Sequence, residues 1–168
     1  DDGRTVRLAA PLANKHLGCE QDGADSVVPG GIPCVMAAEV APLTRNLRVR
    51  GEAACSASRM CGHFLLAHTN HGTVCGVEFS NLGQKTTKGR YALHLHAGWD
   101  AAALVVRSNA IHDTHNRGIV VHAMRHVRVE DNTVFNTLGH NIMLEDGVEE
   151  HNALVHNLGV APRSVSWG

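Results

Sequence analysis

His94-Leu95-His96, Val121-His122 and Leu144-Glu145-Asp146 each close an apolar stretch with side chains that ligate metals or carry protons. His94 and His96 stand two apart, so on a strand they share one face. Arg90, Arg117 and His140 lie a few residues before these stretches and form a second polar set. Stacked in space, His96, Arg117, His122, His140, Glu145 and Asp146 would make a catalytic strip. Arg90, His94, His112 and His115 would hold its substrate. Glu145 with Asp146 or Asp113 offers the two carboxyl groups that glycoside hydrolysis uses. Eliminative cleavage of a uronic acid needs instead a base, His122 or His96. It also needs a cation, Arg117 or a metal, to stabilise the carboxylate-derived anion. An acidic glycan could equally be held uncleaved by Arg90, Arg117 and the histidines. The candidate cofactors are zinc on His94, His96, His122 and Glu145, and calcium on the oxygens of Glu145, Asp146, Glu149 and Glu150. Spacing alone requires neither. The plainer assignments are polar stacking for the histidines, carbonyl bonding for Arg90 and Arg117, and a solvated turn for 145–150.

Such a strip requires elements that bring distant residues into register, and the sequence repeats in a way that does so. Gly76–Gly83, Asn109–Asn116, Asn132–Gly139 and Asn152–Gly159 align, with starts 33, 23 and 20 residues apart. Each of the first three is followed by a second apolar stretch: Ala92-Leu93-His94-Leu95, Ile119-Val120-Val121 and Ile142-Met143-Leu144. The long first spacing implies an inserted loop at Gln84–Gly89 and a turn at Gly98-Trp99-Asp100. Short β-branched runs bounded by Asn and Gly, with a period of about 20–25 residues, predict a parallel β-helix rather than a leucine-rich or helical repeat. Val127-Arg128-Val129-Glu130 and Leu47-Arg48-Val49-Arg50 alternate apolar and charged residues, which turns the apolar set inward. The predicted class is all-β, a right-handed parallel β-helix filling 1–168 as one domain. Within it, 1–38 is an edge coil with loops, 39–159 the repeat coils and 160–168 a C-terminal extension.

Composition agrees with a packed core of small aliphatics: 43% of the 168 residues are apolar and only 4% aromatic. Fifteen Lys and Arg balance 16 Asp and Glu, so nothing in bulk charge attracts nucleic acid or anionic lipid. No apolar run approaches the ~20 residues of a membrane span, and no membrane contact is expected of this segment. Cys19, Cys34, Cys55, Cys61 and Cys75 are odd in number, and no Cys-x-x-Cys pair occurs. Cys55 and Cys61 are close enough to clip one loop, and a secreted context follows. The start Asp1-Asp2-Gly3-Arg4 is neither an initiating Met nor a signal peptide. The chain therefore reads as a mature or excised fragment of a larger protein, whose remaining parts or neighbouring subunits are its first partners.

Longer motifs carry a resemblance. Glu39-Val40-Ala41-Pro42-Leu43-Thr44-Arg45-Asn46, Gly62-His63, Val77-Glu78-Phe79 and Leu82-Gly83-Gln84 are similar to stretches of one extracellular family. So are Gly89-Arg90-Tyr91-Ala92-Leu93-His94-Leu95-His96, Ile111-His112, Asn116-Arg117, Gly139-His140 and Leu144-Glu145-Asp146-Gly147. Ala92 stands where the family usually has Pro. The chain resembles the G8 and parallel β-helix repeat family that includes cell-surface hyaluronidase, the hyaluronan-binding protein that induces cell migration, and fibrocystin-L. The resemblance implies β-helix repeats and an extracellular or cell-surface location. It also implies one of two roles: a structural or glycan-binding scaffold, as in the fibrocystin-L branch, or endo-acting, calcium-dependent degradation of hyaluronan. The family's proposed catalytic residues lie in the G8 region, so none of them carries over to this sequence.

Overall fold

A computed structural model describes residues 8–13, 27–28, 32–33 and 40–164. Cys19, Cys34, most of the stretch expected as an edge coil, and 165–168 lie outside the described residues. The chain divides into two compact units, 1–41 and 42–168. In the first, β1 (Val27–Val28) and β2 (Ile32–Pro33) pair antiparallel.

The second unit is the repeat solenoid, with three parallel sheets wound over about four turns. The first sheet contains β3 (Leu47–Arg50), β6 (Val77–Ser80), β9 (Ala110–His112), β12 (Thr133–Phe135) and β15 (Leu158–Val160). The second, the site sheet, contains β4 (Phe64–Ala67), β7 (Leu93–Asp100), β10 (Ile119–Arg125) and β13 (Ile142–Leu144). The third contains β5 (His71–Cys75), β8 (Ala103–Arg107), β11 (Arg128–Glu130) and β14 (Ala153–Val155). Every pairing within these sheets is parallel and joins strands one coil apart. This is the parallel β-helix that the spacing predicts. Among the described residues no helix is long and apolar enough to cross a membrane.

Stacking puts like residues over like. Phe64, Leu93, Ile119 and Ile142 form one inner column, and Val74, Val106, Val129 and Leu154 another. Val49, Phe79, Ile111 and Val134 form a third. The central members are fully buried, while Leu154, in the last of the described coils, is 44% exposed. Each buried aliphatic contributes about 1.5–3 kcal/mol, so the middle coils hold the fold. Val127 and Val129 face inward, as their alternation predicts; Leu47, in the first rung, stays exposed.

A second column is polar. Asn109, Asn132 and Asn157 stack at one corner. The Asn109 and Asn132 amides donate to the next Asn Oδ1, and each Nδ2 reaches a buried carbonyl one coil back. The Val77 amide donates to Asn109 Oδ1 and completes the ladder. Equivalent corners are therefore 77, 109, 132 and 157, giving coils of 32, 23 and 25 residues. Two expected alignments shift accordingly. Gly76 is one residue early, and Asn152 belongs to a different corner, where its Oδ1 accepts from the Val127 amide. Asn152 and Asn157 both cap turns, and identity of residue type hid which corner each one serves.

The six residues 84–89 form the expected loop between β6 and β7. Gly98-Trp99-Asp100 is not a free turn but the end of β7, which carries one extra residue against β10: His96 pairs with His122, yet Trp99 pairs with Met124. Cys55 and Cys61 are disulfide-bonded across a short loop, and Cys75 is a free, exposed thiol.

Candidate functional site

Leu93 and Leu95 point into the core, so the pleat turns His94 and His96 to the outer face of the site sheet. Register then builds two outward rows. One is Leu65, His94, Val120 and Met143; the other is Ala67, His96 and His122. The Glu145 amide donates to the Val121 carbonyl at 3.0 Å, which continues the second row to Glu145. Of the strip expected from the sequence, His96 and His122 fall in one row with Glu145, rather than Asp146, as its next member.

The neighbouring row differs from expectation. Bonds from Ala92 N to Arg117 O and from Gly118 N to His140 O align Tyr91, Arg117 and His140. Arg90 is one residue out of step and turns away to His63, with 2.8 Å between its guanidinium and the ring Nε2. Tyr91 takes its place. Counting from the second apolar stretches, Leu93 against Ile119, would have exposed this register in the sequence.

These rows meet at Glu145, whose side chain is only 4% exposed. Its two oxygens face different partners. Oε1 accepts from the Tyr91 hydroxyl at 2.6 Å and lies 3.8 Å from Lys88 Nζ and 3.9 Å from an Arg117 nitrogen. Arg117 also donates to the Tyr91 hydroxyl and lies over the tyrosine ring. Oε2 faces imidazoles, 3.4 Å from His122 Nδ1 and 3.8 Å from His94 Nε2. His94 and His122 are stacked, and His96 stands edge-on to both. Burial lowers the His94 pKa to about 4, so the ring is neutral near pH 7. Burial, then His122, lowers that of His96. Burial and the bond to Glu145 raise that of Tyr91, which keeps its proton.

Three atoms at this meeting point are orphaned: His94 Nε2, His122 Nδ1 and Glu145 Oε2 are buried without a hydrogen bond. Each such group costs on the order of 1–3 kcal/mol, which is a large burden for a purely structural surface. The cluster opens into a groove of about 340 Å³ lined by Lys88, Arg117, Met143 and Glu145. Along the same two central strands lies a second cleft, of about 300 Å³, lined by Trp99, Ala123, Met124, Arg125, Val148 and Glu150. Trp99 is 72% exposed.

The other expected residues are placed as follows. Asp146 sits beside His122, Oδ2 to Nε2 at 2.6 Å. His140 is exposed at the end of the Tyr91 row. His112 lies on the first sheet between Asp113 and Glu78, and His115 on the turn after it, held by Asn81 at 2.6 Å. Neither is joined to the Glu145 cluster, and Asp113 is committed to His112 and Asn136. Glu149 accepts from the Ala123 and Asp146 amides and closes the turn that positions Asp146. Burial opposes ionisation there, and the backbone donors outweigh it and lower its pKa. Glu150 faces Arg125 at 3.7 Å. The acidic run 145–150 therefore does not converge as an oxygen cage, and these residues do not fit calcium. Sequence reasoning missed Tyr91, Lys88, Met143 and the exposed Trp99.

Comparison with known proteins agrees with this architecture. The CEMIP beta-helix family matches residues 59–167. A cell surface hyaluronidase of Danio rerio is 32% identical over 95% of the chain, and a G8 domain-containing protein of Dictyostelium discoideum is 31% identical over 92%. The mouse cell migration-inducing and hyaluronan-binding protein is 32% identical over 95%, and mouse fibrocystin-L 29% over 95%. The chain spans about 12% of the length of the first three of these relatives and about 4% of fibrocystin-L. No solved structure matches it. With its parallel coils and the family match over most of the solenoid, the chain belongs to the CEMIP β-helix family.

Proposed function

We propose that this chain is an extracellular or cell-surface β-helix segment that binds an acidic polysaccharide, a uronic-acid polymer of the hyaluronan kind, along the outer side of its site sheet. The observation that carries this reading is the pair of adjoining clefts along β7 and β10. Their lining runs from Arg117, just before β10, to Arg125 at its end, about 25 Å of strand, a length suited to an extended polymer rather than a small ligand. Lys88 and Arg117 at one end and Arg125 at the other supply cations for carboxylates. Trp99 offers an exposed ring for the apolar face of a sugar. The names of two relatives, a hyaluronidase and a hyaluronan-binding protein, support the substrate class.

Cleavage is the second reading, favoured by the arrangement around Glu145. Arg117 lines the groove, and His122, 17% exposed, stands beside its Glu145 wall. A His122 free of metal would take the proton beside the uronate carboxyl at Nδ1, Arg117 would neutralise the anion that forms, and the glycosidic C4–O bond would then break with its oxygen protonated by water. Tyr91 is fully buried and would position Arg117 and Glu145 rather than touch substrate. The test is binding to hyaluronan and to an uncharged glucan, followed by sizing of the polymer after incubation. Arg117→Ala should weaken hyaluronan binding about tenfold, or about 1.4 kcal/mol. Equal affinity for the uncharged polymer would overturn the binding reading. A polymer of unchanged length would overturn cleavage and leave binding intact.

A further inference from the structure

The three orphaned atoms at the Glu145 cluster have no role in polymer binding, and they share one feature: each can offer a lone pair, and Glu145 Oε2 lies within 3.8 Å of the other two. We propose that His94, His96, His122 and Glu145 form a transition-metal site of the zinc class on the outer face of the site sheet. The three imidazoles offer ring nitrogens that all lie within 4.8 Å of one another. Glu145 Oε2 stands 3.4 Å from His122 Nδ1 and 3.8 Å from His94 Nε2. Both separations are too long for hydrogen bonds. A tetrahedral zinc with bonds of 2.0–2.1 Å separates its ligand atoms by about 3.3 Å, so Glu145 needs a shift of a few tenths of an ångström, and the ring nitrogens, within 4.8 Å of one another, need to draw in by up to about 1.5 Å through ring rotation.

Second partners fix the ring orientations this requires. The Gly89 carbonyl can only accept, so His94 Nδ1, 3.0 Å away, carries the ring proton and leaves the Nε2 lone pair free. The Asp146 carboxylate, 2.6 Å from His122 Nε2, holds the proton there and leaves Nδ1 as the ligand. A carboxylate or carbonyl behind each ligating imidazole is the arrangement that orients metal-bound histidine. Glu145 Oε1 is likewise held by Tyr91, which leaves Oε2 to the metal. Imidazole-rich coordination selects zinc, or its cobalt and nickel analogues, over calcium. The site therefore differs in kind from the calcium dependence the family resemblance suggests.

The site stands independently of polysaccharide binding, since its test uses the metal alone. The metal-stripped chain is titrated with ZnCl2, CoCl2 and CaCl2 by calorimetry, with visible absorption recorded for cobalt. One equivalent of zinc should bind, with a rise in melting temperature. Cobalt should give the intense d–d bands of four-coordinate nitrogen and oxygen ligation, without sulfur charge-transfer absorption from Cys75. His96→Ala and Glu145→Gln should each weaken zinc binding at least tenfold. Substituting His126 and His151, a stacked pair elsewhere on the surface, should leave it unchanged. His96 is only half-buried, so its variant keeps the fold even where a change at His94 would not. In the cobalt complex, two hyperfine-shifted, exchangeable imidazole protons should appear, from His94 Nδ1 and His122 Nε2. Absence of zinc binding, undiminished binding in His96→Ala, or tighter binding of calcium than zinc would overturn the assignment.

Discussion

The asparagine ladder makes a quantitative demand on Asn132. Its side chain is 1% exposed and makes four hydrogen bonds. Nδ2 donates to Val106 O and to Asn157 Oδ1, both at 2.9 Å. Oδ1 accepts from Asn109 N and from Asn109 Nδ2, at 3.1 and 3.0 Å. Asn132→Ala removes all four with unequal consequences. Asn109 Nδ2 keeps Val74 O, and Asn157 Oδ1 keeps the backbone amide of residue 132. Asn109 N is left buried without a partner, whereas Val106 O stays within the ladder of β8 and β11. At about 2 kcal/mol for the orphan and about 0.5 for each of the other three bonds, the loss is about 3.5 kcal/mol. That is a quarter or more of the usual stability of a domain, and for this size it lowers the melting temperature by roughly 7–14 °C. Asn157→Ala, in the half-exposed last coil, should cost about 2 kcal/mol, because water replaces what is lost. Urea unfolding followed by circular dichroism measures both. A loss below about 1.5 kcal/mol for Asn132→Ala, or one no larger than for Asn157→Ala, would refute the claim that the ladder holds the coils in register.

Two further perturbations test the packing and the titration of the solenoid. Gly118 sits where a Cβ would lie 2.5 Å from Asn141 O and 2.7 Å from Val134 Cγ1; Gly118→Ala should cost about 3 kcal/mol in the same unfolding assay and shift Arg117 out of the groove. His115 is buried among Asn81, Arg59 and Arg163, and burial first, then the two cations, lowers its pKa below the usual value. The unfolded chain therefore takes up this proton first as the pH falls, so stability should decline from about pH 7 downward through the unfolded value near 6.5. His115→Gln, which keeps a donor to Asn81, should flatten that part of the profile, and an unchanged slope would exclude His115 as its source.

Parallel coils were legible because each rung carries its own marker: inward Val and Ile on a period of two, and Asn at the corners. The row of His96, His122 and Glu145 was legible for the same reason, since a strand of fixed rise carries register faithfully over a few residues. Arg90 was misplaced because the count ran through a loop, where register is lost; the apolar stretch beyond the loop restores it and selects Tyr91. Asn152 was misplaced because two corners in one coil use the same residue type. His112 and His115 share the composition of the site residues but sit on the first sheet and the turn after it, and only the position of the corner between sheets separates them from the cluster. No one-dimensional signal marks Trp99, since its exposure depends on the extra residue in β7.

The site arises where the repeat is broken. Most outward positions of a β-helix are bathed in water, and charged side chains there are cheap. The coil from 77 to 109 is nine residues longer than the next, and six of the nine fall between β6 and β7, beside the cluster. The loop at 84–89 brings Lys88 to Glu145 and the Gly89 carbonyl to His94. The turn closed by Glu149 brings Asp146 to His122. Together they convert an outward row into a buried one without supplying hydrogen-bond partners for the atoms at its centre. A coil of regular length would leave His94 and Glu145 hydrated and give neither the lowered pKa at His94 nor the orphaned lone pairs. Shortening 84–89 to the length of the next coil should therefore abolish metal binding, measured by zinc calorimetry, while the parallel stack persists in circular dichroism. Retained zinc affinity in that deletion would show that the rows alone suffice and that the insertion serves another end.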